Sequence, residues 1–244
     1  MKNILLYLTY KYNGDARKIH KAIIDKEKID NMMQLNEKIL DIEIKGISYL
    51  TVFDENFPSE LKEFPTSPLL IFYQGNIELL KSQKICLTGD LENIQVLTNI
   101  NLSIKDLVKK YVLITTNFKN LDKQIIEKWR KANGKIIHLL PHGLLYNKDE
   151  KIYPNELYLS IYPPESHPEK TRFKERNILI SWLAKFLIIY SSKEKSGIIN
   201  LASCFTDMGK EVYCYPGLNY DDGNNYLIKN GANLITHVGD VLYY

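Results

Sequence analysis

From residue 84 onward, short apolar runs alternate with longer amphipathic stretches. The runs are 85–88, 112–115, 136–140, 157–161, 186–190 and 212–215. None exceeds five residues, and each is rich in Ile, Leu, Val or Tyr, so each predicts a strand. Residues 93–110, 122–133, 173–184, 197–208 and 225–230 carry helical spacing between them. Strands that alternate with helices pair in parallel and are covered on both faces, which predicts an extended Rossmann-like α/β sandwich with a mostly parallel sheet. Upstream, residues 15–46 read as helices, with Ile19, Ile23 and Ile24 on one face and Leu35, Ile39 and Ile42 on another. Pro58, Pro65 and Pro68 then flank two further β-rich runs at 49–52 and 69–73. This predicts a small helical domain over 1–47 followed by the Rossmann-like domain over 48–244. There is no internal repeat and no low-complexity tract.

At 244 residues and 28.4 kDa, with 45% hydrophobic and 25% charged residues, the chain is long and apolar enough for a substantial core. Its net charge is only +3, so a polyanion would have to be met by a local cluster of cations. Cys86, Cys204 and Cys214 have no metal-ligand spacing and read as buried apolar residues in a reducing compartment. The first fifteen residues lack a signal-peptide pattern, and no run approaches the roughly 18 apolar residues of a membrane span. A cytoplasmic location without membrane contact is expected.

In parallel sheets, ligands bind where strands lead into helices. The loop after 186–190 reads "SSKEKSG", with Ser196 as a helix N-cap, Gly197 allowing close backbone approach, and Lys195 beside them. Unpaired N–H groups, a helix dipole and an ammonium together suit a phosphate; a capped helix beside a solvated lysine is the plainer alternative. In "EKTRFKERN", Lys170, Arg172, Lys174 and Arg176 occupy alternate positions and would project to one side of an extended segment, with Phe173 turned inward. They read either as phosphate contacts or as a solvated charge run. Gly89 sits in the turn after the first strand, but the further glycines of a dinucleotide fingerprint are missing, no P-loop lysine pattern occurs, and Asp90 would repel a phosphate. Lys119 and Asp122 lie in the next loop, as contacts or as an ordinary helix start. The five histidines are scattered, and no serine or cysteine has a base partner, so neither a metal nor acyl-transfer chemistry is expected, and no cofactor.

Several ordered segments resemble the DNA-processing protein A (DprA, or Smf) family: "FDENFPSEL" with "SPLLIFYQGN", then "IYPNEL", "YPPESHP", "FKERN", "KSG", "VYCYPG" and "GNNYLIKNGANLI". The resemblance covers about 49–236. It implies a Rossmann-like protein without a catalytic step that binds single-stranded DNA, forms homodimers, and presents the strand to the recombinase RecA during natural transformation. Arg176, Asn177, Lys195, Ser196 and Gly197 match its DNA-binding pocket, and Lys174, Gly89 and Lys119 are expected beside them. The chain departs from the family pattern where Gly-Ser-Arg becomes Gly89, Asp90 and Leu91, where the second arginine of Arg-Asn-Arg becomes Ile178, and where acidic positions become Ile161 and Ser191. Two other functions stay open: a nucleotide-binding or nucleotide-processing enzyme, which "EKSGIIN" disfavours, and a dimeric scaffold whose pocket has decayed.

Overall fold

The computed structural model describes residues 1–64, 66–117, 120–146 and 151–242. Two compact units emerge, one of residues 1–81 and 140–173, the other of 82–139 and 174–244.

In the first unit, α1 (Lys2–Lys11), α2 (Ala16–Ile24) and α3 (Met32–Ile44) accompany three antiparallel strands, β1 (Ser48–Thr51), β2 (Leu70–Gly75) and β6 (Glu156–Ser160), with β2 in the middle. Asp15 caps α2 by accepting the Lys18 N–H at 3.1 Å, and Asn31 caps α3 through the Gln34 N–H at 3.0 Å. The α1–α2 turn passes through Asn13 and Gly14 at positive φ. A side chain on Gly14 would lie 2.6 Å from the Ile161 carbonyl oxygen, so only glycine fits. Leu5, Leu6, Leu35 and Ile42 share one core with Leu70, Phe72 and Tyr158, which fastens the helices to the strands. The spacing of α2 works out differently from expectation: it buries Ile19 and Ala22, while Ile23 and Ile24 remain 40% and 78% exposed.

The second unit holds six strands, β3 (Lys84–Thr88), β4 (Val112–Thr115), β5 (Ile136–Leu139), β7 (Leu187–Ile189), β8 (Val212–Cys214) and β9 (Asn233–Leu234). They lie in the order β5-β4-β3-β7-β8-β9, and every neighbouring pair is parallel. Every residue of β3, β4, β5 and β7 is buried, as strands covered on both faces require. The helices are α4 (Ile94–Leu107), α5 (Asn120–Lys131), α6 (Lys170–Leu183), α7 (Gly197–Asp207), α8 (Gly223–Lys229) and α9 (Gly239–Leu242). The core joins Ile85, Leu87, Ile100, Leu113, Trp129, Ile136, Ile188 and Tyr190. Strand order reverses between β3 and β7, the position at whose carboxyl ends sheets of this kind form a ligand crevice.

The charged segment before Trp182 corrects an expectation. It is helical from Lys170, so the alternate-side arrangement of an extended strand does not exist. On a helix Arg172 and Arg176 are four apart and share a face, and both are buried, whereas Lys170 and Lys174 are exposed. Within the first unit, Arg172 donates to the His167 carbonyl at 2.6 Å, pairs with Glu169 at 2.9 Å and stacks over Tyr162. All three cysteines are buried and free. Among the described residues no helix is long and apolar enough to cross a membrane.

Candidate nucleic-acid interface

At the crevice the β3 and β7 loops are fastened to each other. The Tyr190 N–H donates to the Thr88 carbonyl and the Asp90 N–H to the Ser191 carbonyl, each at 3.0 Å. The Ser191 hydroxyl accepts the Leu91 N–H at 3.0 Å and donates to the Leu91 carbonyl at 2.8 Å. Gly89 is buried there: a Cβ would stand 2.4 Å from Leu121 and 3.0 Å from Ser191 Oγ, so its role is close packing of the two loops. Ser191, placed where the family pattern has an acid, thus holds the loops together as a neutral donor and acceptor.

α7 begins at this edge. Ser196 caps it by accepting the Ile198 N–H at 3.1 Å. Around Gly197 there is open space, with nothing within 4 Å of an added Cβ, and Lys193 and Lys195 are exposed. The helix start therefore presents its partial positive charge and two ammonium groups to an incoming anion. Against this, the Asp90 carboxylate accepts the Lys193 N–H at 3.3 Å, placing a negative charge in the same loop.

Arg176 reaches the neighbouring strand end instead of solvent. Its Nη1 donates to the Thr116 carbonyl at 2.9 Å, just past β4. Asn177 donates to Asn200 in the first turns of α7 at 3.1 Å, linking α6 to the helix that carries the candidate anion site. Lys174 is exposed two residues earlier on α6. The structure therefore brings Lys195, Ser196 and Gly197 together, sets Asn177 against their helix, and buries Arg176 and Gly89 in the supporting layer. Lys119 lies outside the described residues. Ile178, in place of an arginine, is 39% exposed.

Beneath the crevice, Asp122 in the first turn of α5 is buried and accepts hydroxyl protons from Thr88 at 2.8 Å and from Thr116. Burial pushes the Cys86 thiol up, Asp122 pushes it the same way and Arg176 pushes it back, so both charges act on the end of β3. Two supports escaped sequence reading. Asn224 is fully buried, accepts from Ser192 at 2.7 Å and donates to the Ile189 and Tyr215 carbonyls at 3.1 and 2.7 Å, holding the β7 and β8 ends. Lys210 donates to the Ser181, Trp182 and Ala184 carbonyls at 2.7 Å each, closing the carboxyl end of α6. Asn224 carried a signal in the "GNN" stretch after a strand; Lys210 carried none.

Among the described residues, a parallel sheet in this order with helices between its strands defines a Rossmann-like protein. The profile of the family described as DNA recombination-mediator protein A matches residues 48–244, and the chain belongs to that family. It is 29% identical over 225 residues to the DNA processing protein DprA of Streptococcus pneumoniae, covering 88% of this chain and 80% of that one. With DprA of Bacillus subtilis the identity is 28%, over 81% of this chain and 71% of the relative. Among solved structures, DprA from S. pneumoniae superposes with a TM-score of 0.75 at 26% identity, over 98% of this chain and 92% of that one. DprA from Helicobacter pylori, whose structure describes a single-stranded DNA binding mode, gives 0.67 at 25% identity, over 80% and 94%.

Proposed function

We propose that this protein binds single-stranded DNA at the carboxyl edge of β3 and β7 and acts in DNA uptake and recombination, presenting the strand to a RecA-type recombinase without a catalytic step of its own. The observation that carries this reading is the α7 start, where Ser196 caps the helix, Gly197 leaves the approach open and Lys193 and Lys195 stand exposed. A phosphodiester supplies the anion this arrangement suits, and the exposed lysines give the sequence-independent attraction of a backbone binder. The family and the single-stranded DNA binding mode described for the H. pylori relative support the same ligand. A homodimer belongs to the proposal, supported by Leu218, Tyr220 and Leu234, which are 69%, 86% and 55% exposed near the β8–β9 edge. Tyr213 and Tyr215 pack against the core, Tyr215 stacking on Tyr190 at 5.4 Å.

One observation favours a second reading, a scaffold whose pocket no longer binds: Asp90 already holds the Lys193 N–H with its own carboxylate. Fluorescence anisotropy with labelled oligo-dT, competed by duplex of equal length, separates the two. Preferential binding of the single strand supports the proposal; no binding at low salt, or equal binding of duplex, removes it.

A further inference from the structure

The first three helices carry two apolar surfaces that the DNA reading does not use, and the two complement each other. One is a groove of about 530 Å³ lined by Ile4, Leu5, Ile23, Ile29, Met32 and Phe53. Ile23, Met32 and Phe53 are 40%, 49% and 52% exposed, so it is an open trough rather than an enclosed small-molecule cavity. At its rim Lys26 and Lys28 are exposed and bear no ion pair among the described residues. The acid between them, Glu27, is turned to Lys11 at 2.8 Å and Tyr12 at 2.5 Å, leaving the rim positive.

The second surface is the outer face of α3. Met33, Leu40 and Ile44 are 75%, 59% and 77% exposed. At 100° per residue they fall within about 40° of one another, opposite Leu35 and Ile42, which face the core. Glu37 borders this stripe and Glu43 lies about 60° to its other side; both are exposed and bear no ion pair among the described residues. A helix presenting three apolar anchors at such spacing is the shape an apolar groove receives, and its free carboxylates match the free ammonium groups of the rim.

We propose that the groove of one copy receives the α3 stripe of a second copy. The contact is head-to-tail: groove and stripe are different surfaces that adjoin at the start of α3, where Met32 lines the one and Met33 begins the other, so a contact that fills one groove with one stripe leaves one of each unfilled and adds further copies in a chain. It uses only residues 1–53 and is independent of any pairing through the β8–β9 edge and of DNA binding.

The test is sedimentation velocity of the full chain across a concentration series, with Ile23→Asp for the groove and Leu40→Asp for the stripe. Both positions are exposed, so both variants are expected to melt like the parent. The parent should show a sedimentation coefficient that climbs with concentration beyond a fixed dimer. Each variant alone should lose that climb, and an equimolar mixture should regain a single added association step, because the intact groove of one meets the intact stripe of the other. In parallel, the methyl NMR signals of Met32 and Met33 should shift on concentration while that of Met208, in the second unit, stays constant. A parent with no concentration dependence, variants that associate like the parent, or a mixture no different from its components each overturn the proposal.

Discussion

Asp90 brings a negative charge to the candidate site, because its carboxylate accepts the Lys193 N–H of the β7 loop. Asp90→Asn keeps an acceptor for the Lys193 N–H and removes the charge, so oligo-dT should bind about two- to fivefold tighter with little change in melting temperature. Binding unchanged in an anisotropy titration would place the DNA away from this loop. Arg176 acts in the opposite layer. Because it is buried and hydrogen-bonded to the Thr116 carbonyl, Arg176→Ala should cost about 1.5–3 kcal/mol in a urea titration, the range for a hydrogen bond to a charged group. A loss of oligo-dT affinity with unchanged stability would return Arg176 to the binding surface. The extended reading of its segment has a simple origin. Four cations at alternate positions mimic the period of a strand, but the apolar residues after them, Leu179, Trp182 and Leu183, follow helical spacing and draw the preceding turns into α6.

At the scale of elements, the end of α1 and the α2–α3 connection are joined by a charge cluster that responds to acid. Hydrogen bonds from Lys11 and Tyr12 hold the Glu27 carboxyl below its ordinary 4.5, and those from Tyr7 and Lys11 hold Asp30 below its ordinary 3.8. Carboxyls depressed in the folded state contribute stability that is fully present above their ordinary values and is lost as pH falls through the lower folded ones. The helical region should therefore loosen on acidification below about pH 4.5, and Lys11→Met should move the Glu27 midpoint upward in an NMR pH titration. A Glu27 midpoint at or above 4.5 in the parent would contradict the cluster. The strands with unbroken apolar runs, such as β3, β4, β5 and β7, were legible because burial on both faces leaves no polar alternation to confuse. α1 was not, since its leading Ile4, Leu5 and Leu6 are consecutive and carry no clear period, and β9 was missed because two exposed residues make no run. Of the site, the Ser196 cap and Gly197 were readable from loop chemistry. The loop-to-loop bonds of Ser191 join residues a hundred positions apart and leave no local trace.

For the whole molecule, the family sets the expectation and the exposed residues set the tests. Leu218, Tyr220 and Leu234 are the exposed apolar residues on which a homodimer is proposed, so light scattering should give twice 28.4 kDa as the smallest species for the parent, and Tyr220→Asp should shift it toward the monomer. A parent that is monomeric at tens of micromolar would contradict that pairing. The central claim is that DNA phosphate is held at the start of α7, and the most direct measurement compares the parent with Lys195→Ala in oligo-dT anisotropy titrations at two salt concentrations. An exposed lysine contributes little to folding, so the melting temperature should stay the same, while affinity falls and the slope of log affinity against log salt flattens by about one phosphate contact. If Lys195→Ala binds oligo-dT as tightly as the parent with an identical slope, Ser196 only caps a helix and the site is not where the DNA goes.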